Sequence, residues 1–186
     1  MKSFAIKGLM VPISEYATVQ DDATLLEAVI SLHKSQQEYD SSKTRHRAIL
    51  VCDKANKVIG KISHMDIIKS LEPKYDLIKG THPLAQFGFS KTFLNSLINK
   101  QLLWAEPFND ICQKGATLKV KDIMYTITIG EFVKLDSTLD EAVHQFIMGH
   151  HQGLLVKDGK DIVGILRFTD VYGEIASTIM GCNSEN

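Results

Sequence analysis

The chain carries an internal repeat, and this repeat constrains the fold more than any other feature of the sequence. Three segments recur in the same order. T-L-L-E-A-V at 24–29 returns as T-L-D-E-A-V at 138–143, an offset of 114 positions, and A-I-L-V-C-D at 48–53 returns as G-L-L-V-K-D at 153–158, an offset of 105. V-I-G-K-I-S-H-M-D at 58–66 returns as I-V-G-I-L-R-F-T-D at 162–170, an offset of 104. The gaps between copies fall at turn-like places. The chain is therefore a duplicated supersecondary unit.

Each copy shows the same predicted order of elements, β-α-β-β-α. A short extended stretch leads into a capping box, Thr24 with Glu27 and Thr138 with Glu141, which begins a helix. Apolar residues at helical spacing follow, and then two β-branched runs joined by a tight turn, D-G in the second copy. A second helix closes each copy.

A three-stranded unit with two helices on one face cannot cover its own sheet. We therefore predict an α+β fold in which the two copies pack through their sheets around a pseudo-twofold axis, with clefts between them. The predicted boundaries are 1–71 for the first repeat, 72–119 for a connecting insert and 120–186 for the second repeat.

The insert is too apolar for a flexible linker, and its pattern predicts helices. Ser90 caps a predicted helix that runs to about Trp104. Pro107 and Gly115 bracket a second, shorter helix, because proline suits the first turn and glycine the exit. We expect this insert to pack against its own chain or to form a dimer contact.

Composition excludes several classes of function. The 186 residues carry 21 basic and 22 acidic side chains, so the net charge of −1 gives no bulk attraction to nucleic acid or to a membrane surface. Three widely spaced cysteines, Cys52, Cys112 and Cys182, form neither a disulfide framework nor a zinc motif. With no signal peptide and no apolar stretch long enough to span a bilayer, the sequence predicts a cytoplasmic protein.

The ordered motifs resemble one known family, the cystathionine-β-synthase (CBS) domain. The resemblance rests on T-L-x-E-A-V, on a hairpin that ends in aspartate, and on G-K-I-S-H-M-D at 60–66 and G-I-L-R-F-T-D at 164–170. It covers about 7–71 and 120–179, and a tandem pair of such domains is called a Bateman module. The second copy departs from the pattern, since Arg167 stands where the family has a hydroxyl.

The resemblance implies a regulatory, non-enzymatic module with no required cofactor. Such modules bind AMP, ADP, ATP or S-adenosylmethionine in the clefts between paired domains. The chain would then bind an adenine nucleotide, form a homodimer and signal to a separate effector protein. Neither nucleic acid nor membrane is an expected partner.

The resemblance also implies a set of ligand-binding residues. Asp66 with Ser63 would hold one ribose, and Asp170 another. His46 and His151 would lie near the phosphates. Arg167 and Thr169 would belong to the modified second site, where Arg167 would also bind phosphate. The wall for the base would consist of Thr18, Ile59, Phe132 and Val163.

Each of these residues also has a plainer interpretation. Ser63 and Asp66 fit an ordinary capping box, and Arg167 fits a salt bridge. His144, His150 and His151 suggest a metal only weakly, because no cysteine or carboxylate cluster accompanies them, and no metal site is predicted.

Two other functions stay open at this point. One is a ligand-free structural or assembly module that mediates dimerisation or protein–protein interaction, which the arginine at position 167 favours. The other, much weaker, is a small enzyme that uses His151 in the histidine-rich second copy.

Overall fold

The computed structural model describes residues 5–38, 46–72 and 110–182, together with Thr92 and Ser96. In this part of the chain the strands are β1 Val11–Pro12, β2 Thr18–Gln20, β3 Ala48–Cys52, β4 Val58–Ser63, β5 Tyr125–Thr126, β6 Phe132–Lys134, β7 Gly153–Asp158 and β8 Asp161–Arg167. The α-helices are α1 Leu25–Glu38, α2 His64–Leu71, α3 Ile111–Thr117, α4 Val120–Ile123, α5 Leu139–Gly149 and α6 Phe168–Cys182.

The predicted order β-α-β-β-α is confirmed in both repeats, as β2-α1-β3-β4-α2 and β6-α5-β7-β8-α6. Each repeat pairs its first strand parallel to its second, and its second antiparallel to its third. In the second repeat Asp158 pairs with Asp161, so the hairpin turn has two residues and Gly159 takes a positive φ of 59°. This is the turn that the D-G dipeptide predicts.

Each sheet has four strands rather than the predicted three, because the repeats exchange a short strand. β1, from the start of the first repeat, pairs with β8 of the second, where Val11 lies opposite Ile165. β5, from the start of the second repeat, pairs with β4 of the first, where Tyr125 lies opposite Lys61. The two sheets therefore have the orders β2-β3-β4-β5 and β1-β8-β7-β6.

The exchange extends into the hydrophobic cores. Ile6 is fully buried in the core of the second repeat, and Val120, its equivalent 114 positions later, is fully buried in the core of the first. Two isolated bridges, Ala5 with Thr138 and Lys119 with Thr24, are related by the same offset. The exchange is thus part of the pseudo-twofold symmetry.

A third buried cluster joins the two sheets, so the predicted packing of the repeats through their sheets is confirmed. Its members come from both repeats: Val11, Tyr16, Leu50, Cys52, Val58, Leu155 and Ile165. The helices lie on the outer faces of the two sheets.

The insert is described only at its end. There α3 starts at Ile111, four residues after Pro107, and Gly115 lies inside this helix rather than at its exit. Lys114 Nζ donates to the Leu71 carbonyl at 3.0 Å, which ties α3 to the end of α2. The helix predicted for 90–104 lies outside the described residues apart from Thr92 and Ser96, which are helical.

Candidate functional site

A cavity of about 400 Å³ lies between the repeats, where the strands β4 and β8 end and the helices α2 and α6 begin. This volume falls in the range of small-molecule sites. Both repeats line it, with Tyr16, Arg47, Ala48, Leu50, Lys61, Ser63, His64 and Met65 from the first and Gln152, Gly153, Leu154, Leu155, Ile165, Arg167 and Thr169 from the second.

The lining follows the pseudo-twofold symmetry. Ala48 pairs with Ser63 across the first hairpin as Gly153 pairs with Arg167 across the second. Both members of six equivalent pairs therefore line the cavity: Arg47 and Gln152, Ala48 and Gly153, Leu50 and Leu155, Lys61 and Ile165, Ser63 and Arg167, Met65 and Thr169. The cavity lies on the axis of the duplication, although its chemistry differs between the two halves.

The chemistry of the cavity suits a ligand that has both a flat apolar part and an anionic part. Leu50, Leu155 and Ile165 form apolar walls. Arg47, Lys61 and Arg167 bring cationic groups, and no carboxylate is among the described residues that line the cavity. Guanidinium and ammonium groups are the usual protein donors to phosphate.

In the first repeat, Ser63 and Asp66 form a capping box at the start of α2. Asp66 Oδ2 accepts from the Ser63 backbone N–H at 2.9 Å and from the Ser63 hydroxyl at 2.6 Å, while the Asp66 N–H donates to Ser63 Oγ at 3.3 Å. No hydrogen bond to Asp66 Oδ1 is found among the described residues, so this oxygen is left to accept one.

In the second repeat, Arg167 replaces the capping serine and pairs with Asp170. Its Nε donates to Asp170 Oδ2 at 2.5 Å, and its Nη2 donates to Asp170 Oδ1 at 2.7 Å. This bidentate pair occupies both carboxylate oxygens. Arg167 is 7% exposed, so the salt bridge that the plainer interpretation predicted is a buried one that still borders the cavity.

Lys61 forms an ion pair between the repeats. Its Nζ contacts Oε2 of Glu131, which is 1% exposed. Burial raises the pKa of Glu131, but hydrogen bonds from Lys61 and from Thr128, together with the charge of Lys61, outweigh it and lower the pKa overall. Glu131 is therefore a buried carboxylate that stays ionised beside the cavity.

His46 lies behind the cavity rather than in its lining. Its side chain is fully buried and meets the Tyr16 ring edge-on, with centroids 4.4 Å apart. Burial lowers the pKa of His46, and the nearby Arg167 guanidinium lowers it further, against a hydrogen bond that the imidazole donates to the Glu15 backbone carbonyl. At neutral pH this imidazole is an uncharged packing group.

Two residues predicted for the wall of the base, Ile59 and Val163, face the cores of their own repeats. In each hairpin the register skips them: Val51 pairs with Gly60 and Cys52 with Val58, and the second hairpin repeats this pattern around Val163. Strict alternation would place Ile59 on the same face as Lys61 and Ser63. The β-bulge reverses its direction.

The remaining predicted residues are spread over the second repeat and the edge of the first. Thr169 lines the cavity, whereas Thr18 is exposed on β2. Phe132 lies under Lys157, whose Nζ is 3.6 Å from the ring centroid, and borders a separate cavity of about 770 Å³ at the edge of β6. His151 lies near Gly130, the position equivalent to Tyr16, and is outside the lining.

Most residues that line the cavity were not among those predicted to bind a ligand, and they include Tyr16, Arg47 and Lys61. Glu131, beside the cavity, was not predicted either. Alternation along β4 carried a usable signal for Lys61, because it lies two positions from Ser63 and so shares its face. For Glu131 no local pattern was available, since its partner is 70 residues away in the sequence.

Two further findings bear on the class of protein. The described residues contain no group of three or more histidine, cysteine, aspartate or glutamate side chains placed to hold a metal ion. Within the same part of the chain, no helix has both the length and the apolar character needed to cross a bilayer.

The architecture and the cavity define a class of protein: a tandem α+β repeat whose halves exchange strands and share a cavity on their pseudo-twofold axis. The family model of the CBS domain matches the chain twice, at residues 6–73 and 120–177. The chain therefore belongs to the CBS domain family, as a tandem pair. None of the curated proteins matches it.

Solved structures share the fold at low sequence identity. A CBS domain-containing protein of unknown function from Bacillus anthracis str. Ames Ancestor has a TM-score of 0.59 at 18% identity, over 94% of each chain. CBSX2 in complex with AMP has a TM-score of 0.57 at 16% identity, over 94% of this chain and 98% of that one. The cytosolic domain of the Mg2+ channel MgtE in complex with ATP has a TM-score of 0.53 at 18% identity, over 89% and 46%.

Proposed function

We propose that this CBS pair is a regulatory module that binds an adenosine-containing nucleotide in the cavity on its pseudo-twofold axis. The observation that carries the proposal is the lining itself, which combines apolar walls from both repeats with cationic side chains and no carboxylate. The AMP and ATP complexes of structural relatives support adenine nucleotides as the class of ligand.

The residues suggest a division of roles within the bound nucleotide. Leu50, Leu155 and Ile165 would contact the base, and Arg47 and Lys61 the phosphates. Asp66 is outside the lining but is bonded to Ser63, which lines the cavity, and its Oδ1 would accept from a ribose hydroxyl there. Because both repeats contribute, an occupied cavity would change how the repeats pack, and an effector protein would respond to that change.

The first experiment is a thermal-unfolding screen of the full chain against AMP, ADP, ATP, S-adenosylmethionine and GMP. A ligand at about 100 times its Kd adds about 2.7 kcal/mol of stability, which raises Tm by about 5–10 °C for a chain of this size. Arg47→Ala should reduce the shift given by AMP. Lys54→Ala, in the turn at the far end of the same hairpin, is the matched control and should keep it.

The absence of any shift, from protein shown to be free of bound nucleotide, would contradict this proposal and favour a ligand-free assembly module. The bidentate Arg167–Asp170 pair is the feature that favours this second function, because it fills both oxygens of the second ribose-binding carboxylate.

We also propose that the module is a homodimer that uses the outer faces of α2 and α6. Large apolar side chains on these helices are exposed: Met65, Ile68, Phe168, Tyr172, Ile175, Ile179 and Met180. Patches of this kind on soluble domains usually mark contact surfaces. Light scattering after size exclusion should give the mass of a dimer, and Ile179→Glu should shift it to the monomer. Lys160→Glu, in an exposed turn, should leave the mass unchanged.

A further inference from the structure

The ion pair between Lys61 and Glu131 lies where a ligand would change it. Lys61 lines the cavity, and its side chain is 27% exposed, whereas the Glu131 side chain is 2% exposed. A lysine ammonium has three donors, and Glu131 takes one of them. Nζ can therefore face the cavity and Glu131 at the same time.

Glu131 is held on its other side by the turn that leads into β6. Its Oε1 accepts from the Thr128 backbone N–H and from the Thr128 hydroxyl, each at 3.1 Å. Gln145 of α5 also donates to the Gly130 carbonyl in this turn, at 2.6 Å. Lys61 of the first repeat is thus linked through Glu131 to the first strand and first helix of the second.

This link exists in one half of the duplication only. The positions equivalent to Lys61 and Glu131 are Ile165 and Ala17, which carry no charge. Of the other two cations that line the cavity, Arg47 and Arg167, Arg167 already has both Nε and Nη2 bonded to Asp170. Lys61 is the lysine of the lining, and within the described part of the chain Glu131 is the carboxylate that would compete with an anion for its ammonium group.

We propose that Lys61 makes the cavity selective for an anionic nucleotide over a neutral nucleoside or the sulfonium of S-adenosylmethionine, and that Glu131 limits the affinity by competing for the same ammonium group. This inference rests on the proposed function and specifies its ligand. A phosphate that accepts a hydrogen bond from Lys61 Nζ weakens the ion pair between Lys61 and Glu131. Charge in the cavity is thereby coupled to the turn before β6.

The test is a double-mutant cycle read by isothermal titration calorimetry, with AMP, adenosine and S-adenosylmethionine as ligands. We expect Lys61→Met to weaken AMP binding by about tenfold or more and to leave adenosine unchanged, because the lost bond is to a charged group. Glu131→Gln should tighten AMP binding by several-fold and leave adenosine unchanged. In the double variant, Glu131→Gln should have no effect on AMP, since the lysine for which it competes is gone.

The double variant also guards against misfolding. Lys61→Met alone leaves a buried, uncompensated carboxylate, whereas the double variant replaces the pair by neutral groups of similar size. Lys54→Ala is the charge control and should change no affinity.

The outcomes separate the two proposals. Suppose that AMP binds the wild-type chain but the ratio of the AMP affinity to the adenosine affinity is the same in every variant. The inference about Lys61 is then wrong and the proposed function stands. The same conclusion follows if S-adenosylmethionine binds as tightly as AMP. If AMP and adenosine both fail to bind the wild-type chain, the proposed function fails first.

Discussion

The residue that caps the last helix differs between the two repeats. Ser63 caps α2 and engages only one oxygen of Asp66, whereas Arg167 at the equivalent position engages both oxygens of Asp170. A carboxylate whose lone pairs are taken by a bidentate guanidinium is a poor acceptor for a ribose hydroxyl. The duplication therefore leaves one carboxylate available and one occupied.

Asp66→Asn is expected to weaken adenosine and AMP binding alike, by about tenfold, since a hydrogen bond to the shared ribose is lost. The matched variant Asp170→Asn is expected to change the adenosine affinity by no more than about twofold. Calorimetric titration of both variants with both ligands measures this. If Asp170→Asn weakened adenosine binding more than Asp66→Asn, the carboxylate that binds the ribose would be that of the second repeat.

His46 gives the stability a dependence on pH. Its pKa is lowered in the folded chain from the ordinary 6.5, so below that pH the unfolded chain binds a proton that the native imidazole resists. The free energy of unfolding should fall as the pH drops below about 6.5, with a contribution from His46 of at most about 1.4 kcal/mol per pH unit. Urea titrations of the wild-type chain and of His46→Leu between pH 5 and 8 test this. An equal slope in the variant would contradict it.

At the scale of elements, the exchanged strands explain the glycines that recur in the two third strands. A Cβ added at Gly164 would meet the Val11 carbonyl oxygen at 2.6 Å, and one at Gly60 would meet Met124 Sδ at 2.6 Å. Met10 therefore packs against β8 at Gly164, and Met124 packs against β4 at Gly60, where the strand carries no side chain. The recurrence of methionine and glycine in both copies reflects this close approach rather than a ligand.

Gly164→Ala is expected to destabilise the chain by about 1–3 kcal/mol, and by more than Gly60→Ala, because a backbone oxygen cannot move aside as a methionine side chain can. Gly173→Ala, in α6 with open space around it, should stabilise by up to about 1 kcal/mol. Chemical denaturation of the three variants gives the ranking. Equal effects at positions 60 and 164 would mean that the exchanged strands shift freely.

The sequence predicted the order of elements because capping boxes, apolar periodicity and turn dipeptides are local signals, and the duplication displayed each of them twice. It did not predict the exchange, since β1 and β5 have two residues each and find their partners far along the chain. Of the predicted site residues, Ser63, Arg167 and Thr169 line the cavity, and their roles stay predictions. Ile59 packs against the core, because the bulge reverses an alternation that sequence alone presents as regular.

At the scale of the whole molecule, neither repeat is complete on its own. The core of each contains a fully buried side chain from the other's leading segment, Ile6 in the second repeat and Val120 in the first. Each sheet also takes its fourth strand from the other repeat. The two repeats are therefore expected to unfold together as one cooperative unit.

Fragments 1–71 and 72–186, expressed separately, are each expected to lack a cooperative unfolding transition, because each exposes a core that the other fills. Mixed at equal concentration, they should recover the native circular dichroism spectrum and a melting transition that depends on concentration. A fragment that melts cooperatively by itself would contradict this account of the cores.

The exchange of leading segments has a consequence for the ancestry of the fold. The unit that was copied is not the unit that folds, because one copy alone would offer its leading strand to a neighbour and need the neighbour's strand in return. A single-copy ancestor would thus have been an obligate swapped dimer with two identical halves. Joining two such copies in one chain would make the association intramolecular and independent of concentration. It would also leave the halves free to diverge, as the serine and the arginine at equivalent positions of this chain have done.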